Sequence, residues 1–152
     1  MLDMVQAWKS DGSIEGVYCF NPGEKVLRPL FACGVSAGFP SPADDYIERQ
    51  LDLNELLIRN PPATFFVRVT GDSMTGAGIN HDDLLVVDRS LEPASGRIII
   101  AVLNGELTVK RFVLGDGICR LLAENPDYPP QEITADTTFE VWGVVTSVIH
   151  SL

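Results

Sequence analysis

The chain has 152 residues, with 45% apolar and 21% charged side chains, which suits one globular domain with a real core plus an extension. Its net charge is −10; residues 1–37 carry three Lys/Arg against four Asp/Glu, and residues 38–152 carry eight against seventeen. The acidity therefore belongs to the body, which repels phosphate, and with no basic stripe or helix-turn-helix pattern no direct sequence-specific DNA binding is expected.

The first ten residues, Met1 to Ser10, lack the basic-then-apolar plan of a signal peptide. No apolar run approaches the roughly 18–20 residues that span a bilayer. A soluble, cytoplasmic protein without membrane contact is expected. Residues 1–37 read as an arm. Within it Val17-Tyr18-Cys19-Phe20 and Lys25-Val26-Leu27-Arg28 flank the turn-rich Asn21-Pro22-Gly23-Glu24, which predicts a small hairpin. Residues 32–42 are small and kinked, without periodicity, and read as a linker.

Two short helices are expected next. Ser41 is a good N-cap, followed by Pro42 at the first helical position and by Asp44 and Asp45 in the first turn. A second helix starts at Asp52, where Asp52 and Glu55 resemble a capping box and Leu53, Leu56 and Leu57 form an apolar side; Asn60-Pro61-Pro62 stops it. From Thr64 onward the signals are mostly strand, at 64–70, 84–88, 97–103, 106–113, 118–122 and 139–149, separated by Gly/Pro/Asn/Asp clusters. Asn104-Gly105 is a hairpin turn between the third and fourth of these. The fold class is mainly β: a compact antiparallel domain with short helices before it and an N-terminal arm.

Cys19, Cys33 and Cys119 are scattered, with no C-x-x-C pair, which argues against a disulfide framework and a zinc site. Asp82, Asp83 and Asp88 match no calcium loop. Gly76-Ala77-Gly78 lacks the Lys-Ser/Thr of a phosphate loop and serves to turn the chain after Ser73. Trp142 reads as core.

Two residues carry possible chemistry. Ser73 lies in Gly71-Asp72-Ser73-Met74, a turn after the strand at 64–70, and Lys110 lies in the second arm of the Asn104-Gly105 hairpin. A serine hydroxyl becomes nucleophilic when a base takes its proton, and an uncharged lysine is such a base. Free lysine, with a pKa of about 10.4, is neutral only ~0.04% of the time at pH 7, and apolar burial can raise that share. By strand alternation Lys110 shares a face with Thr108 and Phe112. Plainer readings stand beside this one: a capping serine, and a solvated Lys-Arg pair on an edge strand. Other serine chemistries fit less well. Thr75 replaces the second glycine of a nucleophile elbow. No Asp-x-x-His follows downstream, and the only histidines are His81, in a turn-like Asn80-His81-Asp82-Asp83, and His150.

Five stretches occur in order between Gly38 and about Val148: Gly38-Phe39-Pro40-Ser41-Pro42-Ala43-Asp44-Asp45-Tyr46, Asp52-Leu53-Asn54-Glu55-Leu56-Leu57-Ile58, Gly71-Asp72-Ser73-Met74, Asp83-Leu84-Leu85-Val86-Val87-Asp88 and Glu106-Leu107-Thr108-Val109-Lys110-Arg111. Together they resemble the UmuD-like members of the LexA/UmuD family of self-cleaving Ser-Lys peptidases. The resemblance implies a cleavable arm at 1–37 and a LexA/UmuD C-terminal-like β domain at 38–152, with a short helical preface at 38–62. It implies Ser73 as nucleophile, Lys110 as general base, and the backbone N–H groups of Ser73 and Met74 as oxyanion donors. The bond cut would be Ala37-Gly38, with Cys33-Gly34 as second candidate.

The shortened product would be the accessory subunit of an error-prone translesion DNA polymerase of the SOS response. Implied partners are a second copy in a homodimer, with Val141–Ile149 as interface, the RecA filament on single-stranded DNA as trigger, and a UmuC-like Y-family polymerase. No cofactor or metal is implied. The arm is longer than is usual in that family. The alternative is a non-catalytic dimeric interaction protein that keeps the fold without cleaving.

Overall fold

Runs of β-branched and aromatic residues favour extended backbone, and continuous apolar runs suit strands buried on both faces. Thr64–Val69, Leu84–Asp88 and Ile98–Leu103 are such runs, and all three are strands. A computed structural model describes residues 3–4, 8–21, 23, 25–31 and 47–152. It divides into two units, Pro22–Arg59 and the combination of Met1–Asn21 with Asn60–Leu152. In chain order the strands are β1 (Asp3–Met4), β2 (Ile14–Cys19), β3 (Leu27–Phe31), β4 (Ile47–Asp52), β5 (Thr64–Val69), β6 (Leu84–Asp88), β7 (Ile98–Leu103), β8 (Glu106–Gly115), β9 (Ile118–Leu122), β10 (Gln131–Ile133) and β11 (Phe139–Ile149).

The smaller unit contains an antiparallel hairpin of β3 and β4, paired from Leu27 opposite Asp52 to Leu30 opposite Arg49, with a register shift before Phe31 opposite Ile47. Helix α1 (Leu53–Leu57) follows directly. Asp52 caps it, its carboxylate accepting from the Asn54 amide at 2.9 Å. The expected capping box is only half formed, because the Glu55 carboxylate pairs with Lys25 instead. Of the expected apolar side of this helix, Leu53 and Leu56 are exposed and Leu57 is half-buried. The helix expected from Ser41 lies outside the described residues as far as Tyr46, and from Ile47 the chain is strand.

The expected hairpin across Asn21–Glu24 does not form. β2 pairs with β1 and β5, whereas β3 pairs with β4. The apolar positions of β2 explain the choice: Ile14 and Val17 are buried in the core of the larger unit, a gain unavailable to an isolated two-stranded ribbon.

The larger unit is a single antiparallel sheet in the order β1-β2-β5-β6-β11-β7-β8-β9-β10. It curls, so that both faces bury apolar side chains. One cluster holds Val67, Leu85, Ile100, Leu107 and Val109; a second holds Ile99, Ala101, Phe112, Leu121 and Val144. Alternation along β7 and β8 thus sends neighbouring residues to different cores. Asn104 and Gly105 both adopt positive φ, 50° and 83°, as a two-residue hairpin loop requires. Trp142 packs against the first cluster and meets Trp8 edge to face, with ring centroids 4.8 Å apart. β11 lies between β6 and β7; Val144 and Val145 are buried, while Val148 and Ile149 remain exposed near its end. Among the described residues no helix is long and apolar enough to cross a membrane.

The loop between β5 and β6 is pinned from the stretch after β9. The Gly76 amide donates to the Glu124 carbonyl at 2.7 Å, and Asn125 Nδ2 donates to the Asp72 carbonyl at 2.9 Å. A Cβ on Gly76 would stand 2.6 Å from that Glu124 oxygen, closer than real contacts allow. Gly76→Ala is therefore expected to cost about 1–3 kcal/mol, as overpacked sites do, read as a lower Tm; an unchanged Tm would refute the close approach. Leu121→Ala, which opens a cavity in the second cluster, is expected to cost about 2–5 kcal/mol in chemical unfolding.

Candidate active site

Ser73 sits in the loop after β5, and Lys110 lies on β8 opposite Ile99 of β7. They are thirty-seven positions apart in sequence, yet line one cavity of about 350 Å³ together with Asp11, Ser13, Asp72 and Tyr128. Both side chains are buried, at 7% and 6% exposure, so the reading of Lys110 as a solvated edge residue fails. Lys110 shares its face with Thr108 as alternation predicts, and the two side chains touch.

The amine is fully engaged. Lys110 Nζ donates to Thr108 Oγ1 at 2.9 Å, to the Val109 carbonyl at 3.1 Å and to Asp11 Oδ2 at 3.3 Å. Three acceptors match the three protons of an ammonium, and the arrangement holds a cation beside a carboxylate. Among the described residues no hydrogen bond joins Lys110 to Ser73. A buried lysine must be paired or lose its proton, and here Asp11 supplies the pair.

Asp11 has further donors. Thr108 Oγ1 donates to Oδ2 at 2.7 Å, and the Ser13 amide and hydroxyl donate to Oδ1 at 3.0 and 2.5 Å. Burial by itself would raise the Asp11 carboxyl. The hydrogen bonds from Ser13 and Thr108, with the Lys110 charge, outweigh burial and hold it below its ordinary value of 3.8. A carboxyl so lowered stabilises the fold above 3.8, and that contribution is lost as pH falls through its depressed value.

The opposite wall is organised by Asp72. Its carboxylate accepts from the Tyr128 hydroxyl at 2.7 Å, and this hydrogen bond, with the Asp72 charge, raises the Tyr128 phenol. Gly71, at φ 77°, donates its amide to His81 Nδ1 at 3.2 Å. Among the described residues neither the Ser73 nor the Met74 amide is spent in a hydrogen bond.

Other sequence candidates have structural duties. His81 is exposed at the turn, His150 pairs with buried Asp83, and neither lines the cavity. Asp83 also accepts from the Asn80 amide, and Asp88 accepts from the Ser90 amide and hydroxyl. No group of three or more metal-ligating side chains is assembled among the described residues. Ala37, Gly38, Cys33 and Gly34 lie outside the described residues, in the connection between β3 and β4.

Sequence reasoning missed Asp11, Ser13 and Tyr128. Asp11-Gly12-Ser13 reads locally as an ordinary turn, and nothing in its composition signals a partner ninety-nine positions away. Asn125 and Tyr128 sit in a loop without periodicity.

Comparison with known proteins agrees with this architecture. A family model described as Peptidase S24-like matches residues 29–146. Protein SamA of Salmonella typhimurium is 50% identical over 125 residues, covering 80% of this chain and 84% of that protein. Protein ImpA of Escherichia coli is 46% identical over 131 residues, covering 84% and 86%. Protein MucA of Escherichia coli is 46% identical over 125 residues, covering 82% and 83%. The resemblance carried by the five motifs is thus matched along most of the chain, which belongs to the Peptidase S24-like family.

Proposed function

We propose that the chain is a self-cleaving serine peptidase in which Ser73 is the nucleophile and Lys110 the general base. The observation that supports this reading is that these two buried side chains line one cavity. Neutral Lys110 takes the Ser73 hydroxyl proton as Oγ attacks the Ala37 carbonyl carbon. The amides of Ser73 and Met74, which have no other partner among the described residues, receive the oxyanion. Collapse breaks the Ala37–Gly38 bond, and the Lys110 ammonium returns its proton to the departing Gly38 amine. Water, deprotonated by the same amine, then releases Ala37 as a carboxylate. Cys33–Gly34 is the second candidate bond.

Both bonds lie in the connection between β3 and β4, so the substrate is tethered to its own enzyme. A tether gives a high effective concentration, which lets a weakly activated dyad act once. The product, residues 38–152, serves as the accessory subunit of an error-prone translesion polymerase in the SOS response. Its partners are a second copy, the RecA filament as trigger and a UmuC-like polymerase, all in the cytoplasm. The UmuD-like motifs and the family membership support this part. The acidic body fits a protein that meets DNA through partners.

One observation favours the alternative of an inert interaction protein: Lys110 Nζ is bound to Asp11 rather than to Ser73. Incubating the purified chain at rising pH separates the two. Self-cleavage is expected to produce a new N-terminus at Gly38, with a rate that climbs up to about tenfold per pH unit below the lysine range. Ser73→Ala and Lys110→Ala each abolish it. Full-length chain persisting in alkali, and with RecA, nucleotide and single-stranded DNA, leaves the inert reading standing.

A further inference from the structure

We propose that Lys9–Ser13 is a built-in inhibitory segment: it occupies the open edge of β8 beside Lys110, sets the Asp11 carboxylate on the amine, and must withdraw before self-cleavage. The inference rests on the Ser73–Lys110 reading above.

The edge is a peptide-docking edge by construction. β7 pairs with β8 along one side from Ile98–Arg111 to Leu103–Glu106, while β9 covers the other side only from Arg111 to Gly115. Backbone groups at Leu107 and Val109 are thus left for an extended segment to bond, the mode by which strand edges take peptides. Lys9–Ser13 has taken them. The Leu107 amide donates to the Lys9 carbonyl at 2.8 Å, the Asp11 amide donates to the Leu107 carbonyl at 3.1 Å, and the Val109 amide donates to Ser13 Oγ at 3.2 Å. Ser10 forms a parallel bridge with Leu107.

The same segment reaches the other wall, where the Thr70 amide donates to the Ser13 carbonyl at 3.0 Å. It therefore straps the lysine wall to the serine wall, in the space a substrate peptide needs. Flanking contacts hold it there: Trp8 stacks edge to face on Trp142, and β2 continues into the pairing with β5.

Charge completes the inhibition. Among the described residues, the titratable groups lining the cavity are Asp11, Lys110, Asp72 and Tyr128. Asp72 is engaged by Tyr128, and Arg111 next along β8 pairs with Glu124, which leaves Asp11 as the carboxylate on Nζ. A carboxylate in contact favours the ammonium, the form that cannot act as base. Asp11 is thus a positioning residue acting through Lys110. It also lies on the arm side of both candidate bonds, so cleavage severs it from the chain that keeps Lys110.

The test compares the full-length chain with Asp11→Asn and Asp11→Glu. Asp11→Asn is expected to self-cleave about tenfold faster near pH 8, with a pH–rate midpoint about one unit lower, since each unit is a tenfold change in neutral amine. Asp11→Glu is expected to restore slow cleavage. In a Ser73→Ala background, NMR of carbon-13-labelled lysine is expected to show the Lys110 titration midpoint falling on Asp11→Asn. Wild-type chain that cleaves while Asp11→Asn cleaves no faster, or an unmoved Lys110 midpoint, overturns the inhibitory role. Failure of every variant to cleave under any condition instead removes the Ser73–Lys110 reading, and the inhibitory role with it.

Discussion

A lysine amine buried inside a β-sheet is the constraint around which this molecule is arranged. Desolvating an ammonium costs several kcal/mol unless acceptors replace the lost water. Lys110 meets that demand with a hydroxyl, a carbonyl and a carboxylate, each placed by backbone geometry. Thr108 is there because residues two apart on a strand share a face. The Val109 carbonyl is available because, among the described residues, β9 pairs with that edge only from Arg111 to Gly115. Asp11 is there because the chain's first segments dock on the sheet.

The curl of the sheet brings Ser73 and Lys110 to the lining of one cavity. Its strands bury apolar side chains on both faces, so β8 can give Leu107 and Val109 to one core and Phe112 to the other while keeping Lys110 at a cavity. The serine comes from a loop between strands on the far side of the order, clamped by Asn125, Tyr128 and the Glu124 carbonyl. At rest Lys110 is paired with Asp11, and among the described residues the Ser73 hydroxyl has no hydrogen-bond partner.

Much of the body was legible because its signals are local. Strand runs, the Asn104-Gly105 turn and the Asp52 cap are each set by residues a few positions apart, and they stand where the sequence places them. β10 was missed because three residues, Gln131–Ile133, carry too little periodicity to register. The Asn21–Glu24 hairpin was misread because turn chemistry says where a chain reverses, not which strand it then pairs with. Ile14 and Val17 found a better partner in β5 than in their sequence neighbours. Asp11 was illegible for the same reason: its meaning depends on a docking that only tertiary packing creates.

The central claim is that Lys110 makes the Ser73 hydroxyl nucleophilic, and covalent labelling reads that property directly. The chain is treated with a fluorophosphonate at alkaline pH, then weighed intact and mapped by peptide mass. One adduct, on Ser73, absent from Lys110→Ala, is the expected result. Label on a different serine, or equal labelling of Ser73 in Lys110→Ala, would contradict the account.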